Sequence, residues 1–364
     1  MVVPERPQIG PEPVWDPDRV TAGWMQEVLL GAGVLSDQRV TAVDGAPIGT
    51  GQVGCNIRYR LSYDRPGPGP SSVVGKFASR SEASRAAGVQ TLTYETEVAF
   101  YRDLAATVEV SRPECWFAAI EPGTANVVLV LEDVDAVPGD QISGCTPEEA
   151  ELAVTEAARL HGPRWGDPNL LDVPWLAAKA ADPLLPGPAL AMVWPTFLER
   201  YRPLLTDEAV EVGTRLSESR TWLDPEATPP SVCHCDYRLD NLLFDRSGGD
   251  RPLTVVDWQT VRLGAGPSDV AYFMSAAMPP ERRRLIERDM VAVYHRVLRE
   301  YDIGDYDLDR CWEDYRRHSF SGFFMAVFAS VLVGRTERGD EMFMTMANGA
   351  AAQVTDLGAT EFLA

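Results

Sequence analysis

The sequence comprises 364 residues, of which 45% are hydrophobic and 24% are charged, and its formal net charge at pH 7 is −21. This composition is typical of a globular chain, and the length exceeds one compact core of usual domain size, so two lobes are expected. The 54 acidic residues outnumber the 33 basic ones. That balance disfavours general binding to nucleic acid, because both molecules carry negative charge.

Membrane and secretory signals are lacking in the sequence. No stretch reaches the ~18 apolar residues of a membrane span. The start, MVVPERPQIGPEPVWDPD, lacks the basic and apolar regions of a signal peptide. The six cysteines are scattered, and Cys233-x-Cys235 has no second pair at zinc-finger spacing, so reduced thiols are expected. We therefore expect a cytoplasmic protein with no membrane partner.

The first third of the chain predicts a β-rich lobe. Residues 1–16 indicate an extended arm, and 21–35 have helical periodicity that ends near two glycines. Residues 39–80 predict strands, with a PGPGP turn between two of them. A helix is then expected over 91–106, and the apolar run NVVLVLE over 126–132 predicts a central buried strand.

After Asp135 the pattern becomes mainly helical. A short β insert, LLFDRSGGDRPLTVVDW, interrupts it, and SGGD is typical of a hairpin turn. We therefore predict an α+β chain with a small β-rich N-terminal lobe over 1–134 and a larger helical lobe over 135–364. The helices are expected at 147–162, 188–204, 206–219, 281–302, 309–333 and 339–357.

The most specific motif is VCHCDYRLDNLLF (232–244), followed by LTVVDW (253–258). It places His234 two residues before Asp236, Asn241 five residues after it, and Asp257 at the end of the predicted hairpin. This spacing resembles the catalytic loop and the metal-binding aspartate of kinases. Phosphoryl transfer requires a carboxylate near the acceptor hydroxyl and oxygen ligands for Mg²⁺, and these residue types supply both.

Simpler interpretations exist for each residue alone. His-x-Asp is a common tripeptide, Asp236 and Asp240 could cap a helix, and Asp257 could end a strand. Four residue types at these spacings around a hairpin favour the kinase-like interpretation.

These motifs resemble the aminoglycoside phosphotransferase/choline kinase-like superfamily, and within it the ecdysteroid kinase-like branch and related bacterial phosphotransferases. That family usually has glycine where this chain has Cys235. The resemblance implies a protein kinase-like bilobal fold and an ATP-dependent O-phosphotransferase that uses Mg²⁺ and a hydroxylated small-molecule acceptor.

The resemblance also implies roles for residues of the helical lobe. Asp236 would orient and deprotonate the acceptor hydroxyl, and His234 would brace the loop from within. Asn241 and Asp257 would hold Mg²⁺, and Asp269 would brace the catalytic loop, although a helix N-cap is the simpler interpretation.

In the β-rich lobe, Lys76 matches the strand lysine that holds the α- and β-phosphates of ATP. Glu97, in E-V-A-F-Y, matches its helical partner, with Glu95 as the competitor on a different helical face. Backbone groups from Glu132 to Val134 would bind the adenine.

Gly49, Gly51 and Gly54 form a G-x-G-x-x-G pattern. This pattern alone is weak, because dinucleotide-binding folds share it. Its position between strands favours a loop that covers phosphates over a Rossmann turn.

The type of acceptor, the roles of some residues and two competing functions remain to be weighed. The absence of an A-P-E element and of a long segment after Asp257 favours a small-molecule acceptor over a protein. His161 is either structural or lines the acceptor pocket, and the aromatic residues after 309 are core or pocket. An aminoglycoside-type resistance kinase and a nucleotide-binding pseudokinase are the competing functions. The sequence does not specify the acceptor or the oligomeric state.

Overall fold

The computed structural model describes residues 10–49, 54–180, 187–219 and 228–363. They divide into two compact units. The smaller unit comprises the described residues of Met1–Leu104 together with Pro113–Asp135, and the larger unit comprises those of Ala105–Arg112 and Ala136–Ala364. The short segment Ala105–Arg112 therefore belongs to the larger unit, although it lies between two stretches of the smaller one.

The smaller unit is built on a five-stranded antiparallel sheet with the strand order β1-β2-β3-β5-β4. Three helices accompany the sheet. In chain order the elements are α1 (Ala22–Gly31), β1 (Val40–Ile48), β2 (Gly54–Tyr63), β3 (Ser72–Ala78), α2 (Glu82–Gln90), α3 (Thr93–Ala99), β4 (Cys115–Ile120) and β5 (Val127–Glu132).

Helix α1 covers one face of this sheet. It begins where the Thr21 hydroxyl accepts a hydrogen bond from the Trp24 amide at 3.2 Å, a typical N-cap. Its buried side chains Trp24, Met25, Val28 and Leu29 pack with sheet residues into one apolar cluster. The sheet residues of that cluster include Ile57, Tyr59, Val73, Phe77, Val128 and Val130.

Strand β3 places Lys76 on the opposite face. Successive side chains of a strand point to opposite faces, and Val73 and Phe77 belong to the α1 side. Val74 and Ala78 pack with Tyr94 and Val98 of α3. Lys76 shares their face, so strand periodicity directs its ammonium towards α3.

The larger unit is mainly helical and contains two small sheets, β7 with β10 and β6-β8-β9. Its strands are β6 (Val137–Pro138), β7 (Pro230–Cys233), β8 (Leu242–Phe244), β9 (Leu253–Val255) and β10 (Arg262–Ala265). Its α-helices are α4 (Pro147–His161), α5 (Pro174–Ala180), α6 (Gly187–Tyr201), α7 (Asp207–Glu218), α8 (Pro267–Ala276), α9 (Pro280–Leu298), α10 (Leu308–Arg317), α11 (Phe320–Leu332) and α12 (Glu337–Asp356).

Helix α8 occupies the centre of the larger unit. Nine of its ten residues are buried, from Pro267 to Ala276, and it packs against α4, α9, α10, α11 and α12. The aromatic residues after 309 are divided between core and surface: Phe320, Phe323 and Tyr315 are fully buried, whereas Trp312 and Phe328 are only partly buried. Among the helices that the structure describes, none combines the length and the apolar character needed to cross a membrane.

Several sequence predictions of local structure were wrong in detail. The helix predicted over 309–333 is two helices, α10 and α11, which are separated by His318 and Ser319. The predicted helix over 91–106 begins at Thr93 and continues after Ala99 as a π-helical turn over Phe100–Leu104. Helix α2 and strand β4 were not predicted, because their short segments have weak hydrophobic periodicity. The first nine residues of the predicted arm lie outside the described residues.

Candidate active site

The predicted catalytic loop follows β7 and leads into β8. Strand β10 pairs with β7 so that Arg262 lies opposite Cys233. Just before β10, the Thr260 hydroxyl donates a hydrogen bond to the His234 carbonyl at 2.7 Å. The loop is therefore fixed at its start by a neighbouring strand and by the segment that precedes it.

His234 is fully buried within this loop. Its Nε2 lies 3.0 Å from the Val256 carbonyl, which can only accept, and its Nδ1 lies 3.2 Å from the Asp236 amide, which can only donate. The proton therefore belongs on Nε2. Because both ring nitrogens are engaged with the backbone, this geometry suits the bracing role and leaves no nitrogen to act as a base.

Asp269, on the first turn of α8, binds the same loop from the other side. Its Oδ2 accepts from the His234 amide at 2.6 Å, and its Oδ1 accepts from the Cys235 amide at 2.9 Å. Oδ2 also accepts from His161 Nε2 at 3.2 Å. Asp269 is 1% exposed. One buried carboxylate thus pairs two backbone amides that would otherwise be unsatisfied.

His161, the last residue of α4, is buried and supports Asp269. Its Nδ1 lies 2.9 Å from the Tyr294 hydroxyl. His161, Cys233 and Asp269 lie close enough to suggest a metal site among the described residues. However, both nitrogens of His161 and both oxygens of Asp269 are already engaged in hydrogen bonds, so we regard the cluster as structural.

The Asp236 carboxylate is oriented by three donors. Its Oδ1 accepts from the Tyr272 hydroxyl at 2.8 Å and from Arg238 Nε at 3.1 Å. Its Oδ2 accepts from Asn241 Nδ2 at 2.9 Å. The side chain retains 15% of its exposure. The carboxylate is therefore held in one orientation and is still accessible to a bound molecule.

Sequence reasoning missed Tyr272 and Arg238. Tyr272 lies three residues after Asp269 on α8, so both residues face the loop from one side of the helix. Burial, and then the negative charge of Asp236, raises the pKa of the Tyr272 hydroxyl well above its usual range, so it remains a donor. The i, i+3 spacing was the signal that could have identified it.

A third missed residue, Gln141, fixes the middle of the loop. It is 2% exposed. Its Oε1 accepts from the Leu239 amide at 2.9 Å, and its own amide donates to Asp240 Oδ1 at 3.1 Å. Asp240 also accepts from Arg238 at 2.5 Å. No motif links Gln141 to a loop almost 100 residues away, so its role was invisible in the sequence.

The two predicted metal ligands are brought together by the β8–β9 hairpin. Leu242 pairs with Val255, and the Val256 amide donates to the Asn241 carbonyl at 3.0 Å. Asp257 therefore directly follows Val256, the residue whose amide is bonded to Asn241. The hairpin turn is closed by Asp245, which accepts from the Ser247 and Gly249 amides, as SGGD predicts.

Asp257 adopts a left-handed backbone with φ 71°. This conformation is unfavourable in free energy for any residue other than glycine. Residues that adopt it are found disproportionately at functional sites. Its Oδ2 accepts from Gln259 Nε2 at 3.1 Å. Carboxylate and amide oxygens are ligands that Mg²⁺ accepts, so the donor chemistry of Asn241 and Asp257 fits this ion.

In the smaller unit, Lys76 Nζ lies 2.6 Å from Glu97 Oε1, and both side chains are largely buried. Glu95 accepts instead from the Gly123 amide at 2.8 Å. The predicted pairing of Lys76 with Glu97 is therefore present.

The remaining predicted nucleotide residues belong to the same unit. Gly49 follows β1 with φ 70° and Gly54 opens β2, so the glycine pattern does connect two strands, whereas Gly51 lies outside the described residues. Glu132 ends β5, and its Oε2 accepts from the Glu114 amide at 3.1 Å. Val134 follows two residues later and is partly buried.

Asp133, between Glu132 and Val134, has a structural function that the sequence did not indicate. Its carboxylate accepts from Arg58 at 2.7 and 2.9 Å and from the Ser72 hydroxyl at 2.5 Å. It thereby ties the end of β5 to β2 and β3.

Cys235 occupies the position where glycine is usual, and its backbone has φ 62°. Left-handed geometry costs a residue with a Cβ roughly 1–2 kcal/mol, and glycine avoids this cost. We expect Cys235→Gly to be at least as stable as the wild type and about 1 kcal/mol more stable than Cys235→Ala. Thermal unfolding of both variants measures the difference. Equal stability of the two variants would argue against strain at this position.

The fold and the family match place this chain in the class of kinase-like phosphotransferases. Residues 59–305 match the family model described as the phosphotransferase enzyme family, APH. The chain belongs to this family. No curated protein sequence matches the chain significantly.

Solved structures show the same fold at low sequence identity. An ethanolamine kinase from Plasmodium vivax is 10% identical, with a TM-score of 0.50 over 87% of this chain and 81% of its own. The GDP complex of wild-type aminoglycoside 2'-phosphotransferase-IIIa is 14% identical, with a TM-score of 0.50 over 90% of this chain and 98% of its own. These likenesses confirm the predicted kinase-like α+β fold, and the family match confirms the predicted superfamily.

Proposed function

We propose that this protein is an ATP-dependent O-phosphotransferase that phosphorylates a hydroxyl group of a small molecule, with Asp236 as the catalytic base. The arrangement of donors around Asp236 is the observation that carries the proposal. Among the described residues, Oδ1 accepts from two donors, whereas Oδ2 accepts from Asn241 alone. A carboxylate oxygen can accept two hydrogen bonds, so Oδ2 has capacity for the acceptor hydroxyl.

The transfer of the phosphoryl group depends on this second hydrogen bond to Asp236 Oδ2. Asp236 Oδ2 accepts a hydrogen bond from the acceptor hydroxyl and orients its oxygen. As the new O–P bond forms and the bond from the γ-phosphorus to the leaving oxygen of ADP breaks, the hydroxyl proton passes to Asp236. Arg238 and Tyr272 hold Oδ1 throughout, so the carboxylate does not rotate.

The roles in phosphate binding are those that the family resemblance implies. Lys76, held by Glu97, would grip phosphate oxygens, and backbone groups near Gly49, Gly51 and Gly54 would cover them. Backbone groups around Glu132 and Val134 would bind adenine. Asn241 and Asp257 would hold Mg²⁺, which when bound neutralises charge on the phosphates.

One experiment tests the proposal directly. Thermal unfolding is measured with Mg²⁺-ATP, and ADP release is then measured across a panel of hydroxylated metabolites. Stabilisation together with ADP release for one acceptor class supports the proposal. Stabilisation without ADP release for any acceptor would instead favour a nucleotide-binding pseudokinase, and no stabilisation by any metal–nucleotide pair would contradict the proposed nucleotide site.

The assignment of Asp257 as a ligand of Mg²⁺ can be tested by substitution. A ligand at about 100 times its Kd stabilises a protein by about 2.7 kcal/mol. Part of the stabilisation by ATP is expected to require Mg²⁺. We expect Asp257→Asn to lose most of that Mg²⁺-dependent stabilisation, because one anionic oxygen ligand is removed. Asp250→Asn, an exposed carboxylate of the neighbouring hairpin, serves as the control of equal charge. Equal stabilisation of both variants by Mg²⁺-ATP would remove Asp257 from the metal site.

A further inference from the structure

The chain contains only two lysines among its 33 basic residues, Lys76 and Lys179. Lys76 has the role proposed above. Lys179 lies near the end of α5 and is partly buried, and no part of the proposed mechanism uses it.

Lys179 lies beside a second cation. Its Nζ is 3.4 Å from the Val261 carbonyl, and Val261 is followed by Arg262, which is also partly buried. Burial, and then the charge of Arg262, lowers the pKa of the Lys179 ammonium to about 8.

Among the residues that the structure describes, neither cation forms an ion pair with a carboxylate. Within the described part of the chain, no Asp or Glu lies within ion-pair distance of Lys179 or Arg262, although the chain contains 54 acidic residues. By contrast, Arg238 in the same unit contacts both Asp236 and Asp240. Two adjacent, partly desolvated cations with no carboxylate partner among the described residues repel each other at a cost in free energy, and a bound anion would offset this cost.

The pair adjoins the catalytic loop. Arg262 lies opposite Cys233 in the β7–β10 register. The charges of Arg262 and Lys179 both act on the Cys235 thiol, and Cys235 directly precedes Asp236. An anion held by the pair would therefore lie close to the residue that precedes Asp236.

We propose that Lys179 and Arg262 bind an anionic group, a carboxylate or a phosphate, carried by the phosphate acceptor. The acceptor is then a hydroxylated acid rather than a cationic alcohol. This inference rests on the proposed function. A chain with a net charge of −21 repels such an acceptor at long range, so a local pair of cations is required to bind it.

Chemical labelling tests the anion site without any need for turnover. With only two lysines, acetylation of each ε-amino group by acetic anhydride can be followed by peptide mass spectrometry. The probes are sulfate and a panel of hydroxy acids, each paired with the neutral alcohol of the same carbon skeleton. We expect sulfate and at least one acid to slow acetylation of Lys179, and their neutral partners to leave it unchanged. Failure of every anion to protect Lys179 would overturn the site.

Kinetics with the same pairs test the acceptor. We expect ADP release with the acid and not with its neutral partner. In Lys179→Met and Arg262→Gln, KM for the acid should rise about 10- to 100-fold with kcat nearly unchanged, as expected for lost charge-assisted hydrogen bonds. Arg282→Gln, an exposed arginine of α9, removes the same charge and should behave as the wild type.

The remaining outcomes separate the two proposals. Turnover of neutral alcohols with an unchanged KM in Lys179→Met would overturn the anionic acceptor, even if sulfate protects Lys179. Protection by acids without ADP release from any compound would support the anion site and contradict the phosphotransfer. Lys179→Met should unfold at the same temperature as the wild type or higher, because it removes a partly desolvated charge that has no carboxylate partner among the described residues. Loss of folding therefore does not confuse the test.

Discussion

Replacing Asp236 by Asn is expected to reduce kcat by about 10²- to 10⁴-fold, the usual contribution of general-base catalysis. The amide has nearly the same shape as the carboxylate, but it cannot take the proton of the acceptor hydroxyl. Binding of Mg²⁺-ATP should remain, because Lys76, Asn241 and Asp257 are unchanged. Steady-state ADP release and nucleotide-dependent thermal stabilisation measure the two effects separately.

Asp250→Asn is the matched control for this substitution, because it removes one carboxylate charge from an exposed position. It should retain wild-type kcat and wild-type stabilisation by the nucleotide. If Asp236→Asn keeps most of the activity, Asp236 is not the base. If it loses nucleotide binding as well, the substitution has disturbed the loop, and the assignment of a purely chemical role is wrong.

Replacing Asp269 by Ala is expected to destabilise the larger unit by about 3–5 kcal/mol, the usual cost of removing one partner from a buried charged network. The substitution leaves the buried amide of His234 and that of Cys235 without the acceptor they have in the wild type, and removes the partner of His161 Nε2. The loop that carries Asp236 should then lose its fixed geometry, so kcat should fall together with stability. Urea unfolding and ADP release measure both quantities.

Two comparisons identify the cause of such a loss. Asp289→Ala removes an exposed carboxylate from α9 and should change stability by less than about 0.5 kcal/mol. Asp269→Asn keeps the shape of the side chain, but its NH₂ group then faces an N–H donor. We therefore expect the free energy of unfolding to fall by an intermediate amount, about 1–3 kcal/mol. Wild-type stability in Asp269→Ala would show that the loop does not depend on this brace.

Several parts of the site could be predicted from the sequence because they depend on local spacing. The interval from His234 to Asn241 and the SGGD hairpin lie in one continuous segment. The alternation of β3 gives Lys76 its face. Helical spacing places Glu95 and Glu97 on different faces, and the resemblance of E-V-A-F-Y to the family pattern favoured Glu97. Such relations involve few residues, and the periods of strands and helices determine them.

The sequence alone did not indicate the groups that orient Asp236 and its loop. Tyr272 and Gln141 are 36 and 98 residues from their partners Asp236 and Leu239. Contacts at such separations depend on how helices pack. The i, i+3 spacing of Asp269 and Tyr272 places both residues on one side of α8, but it does not say what that side contacts. The same holds for the proximity of Lys179 and Arg262, two cations without a carboxylate partner in the described part of the chain.

The sequence by itself therefore determined the class of fold, the family and the residue types available for phosphoryl transfer. Only the tertiary structure decided which donors hold the carboxylate of Asp236, and that Cys235 adopts a left-handed backbone. The physical reason is that local propensity sets where elements begin and end, whereas the packing of distant elements sets the surroundings of each polar atom.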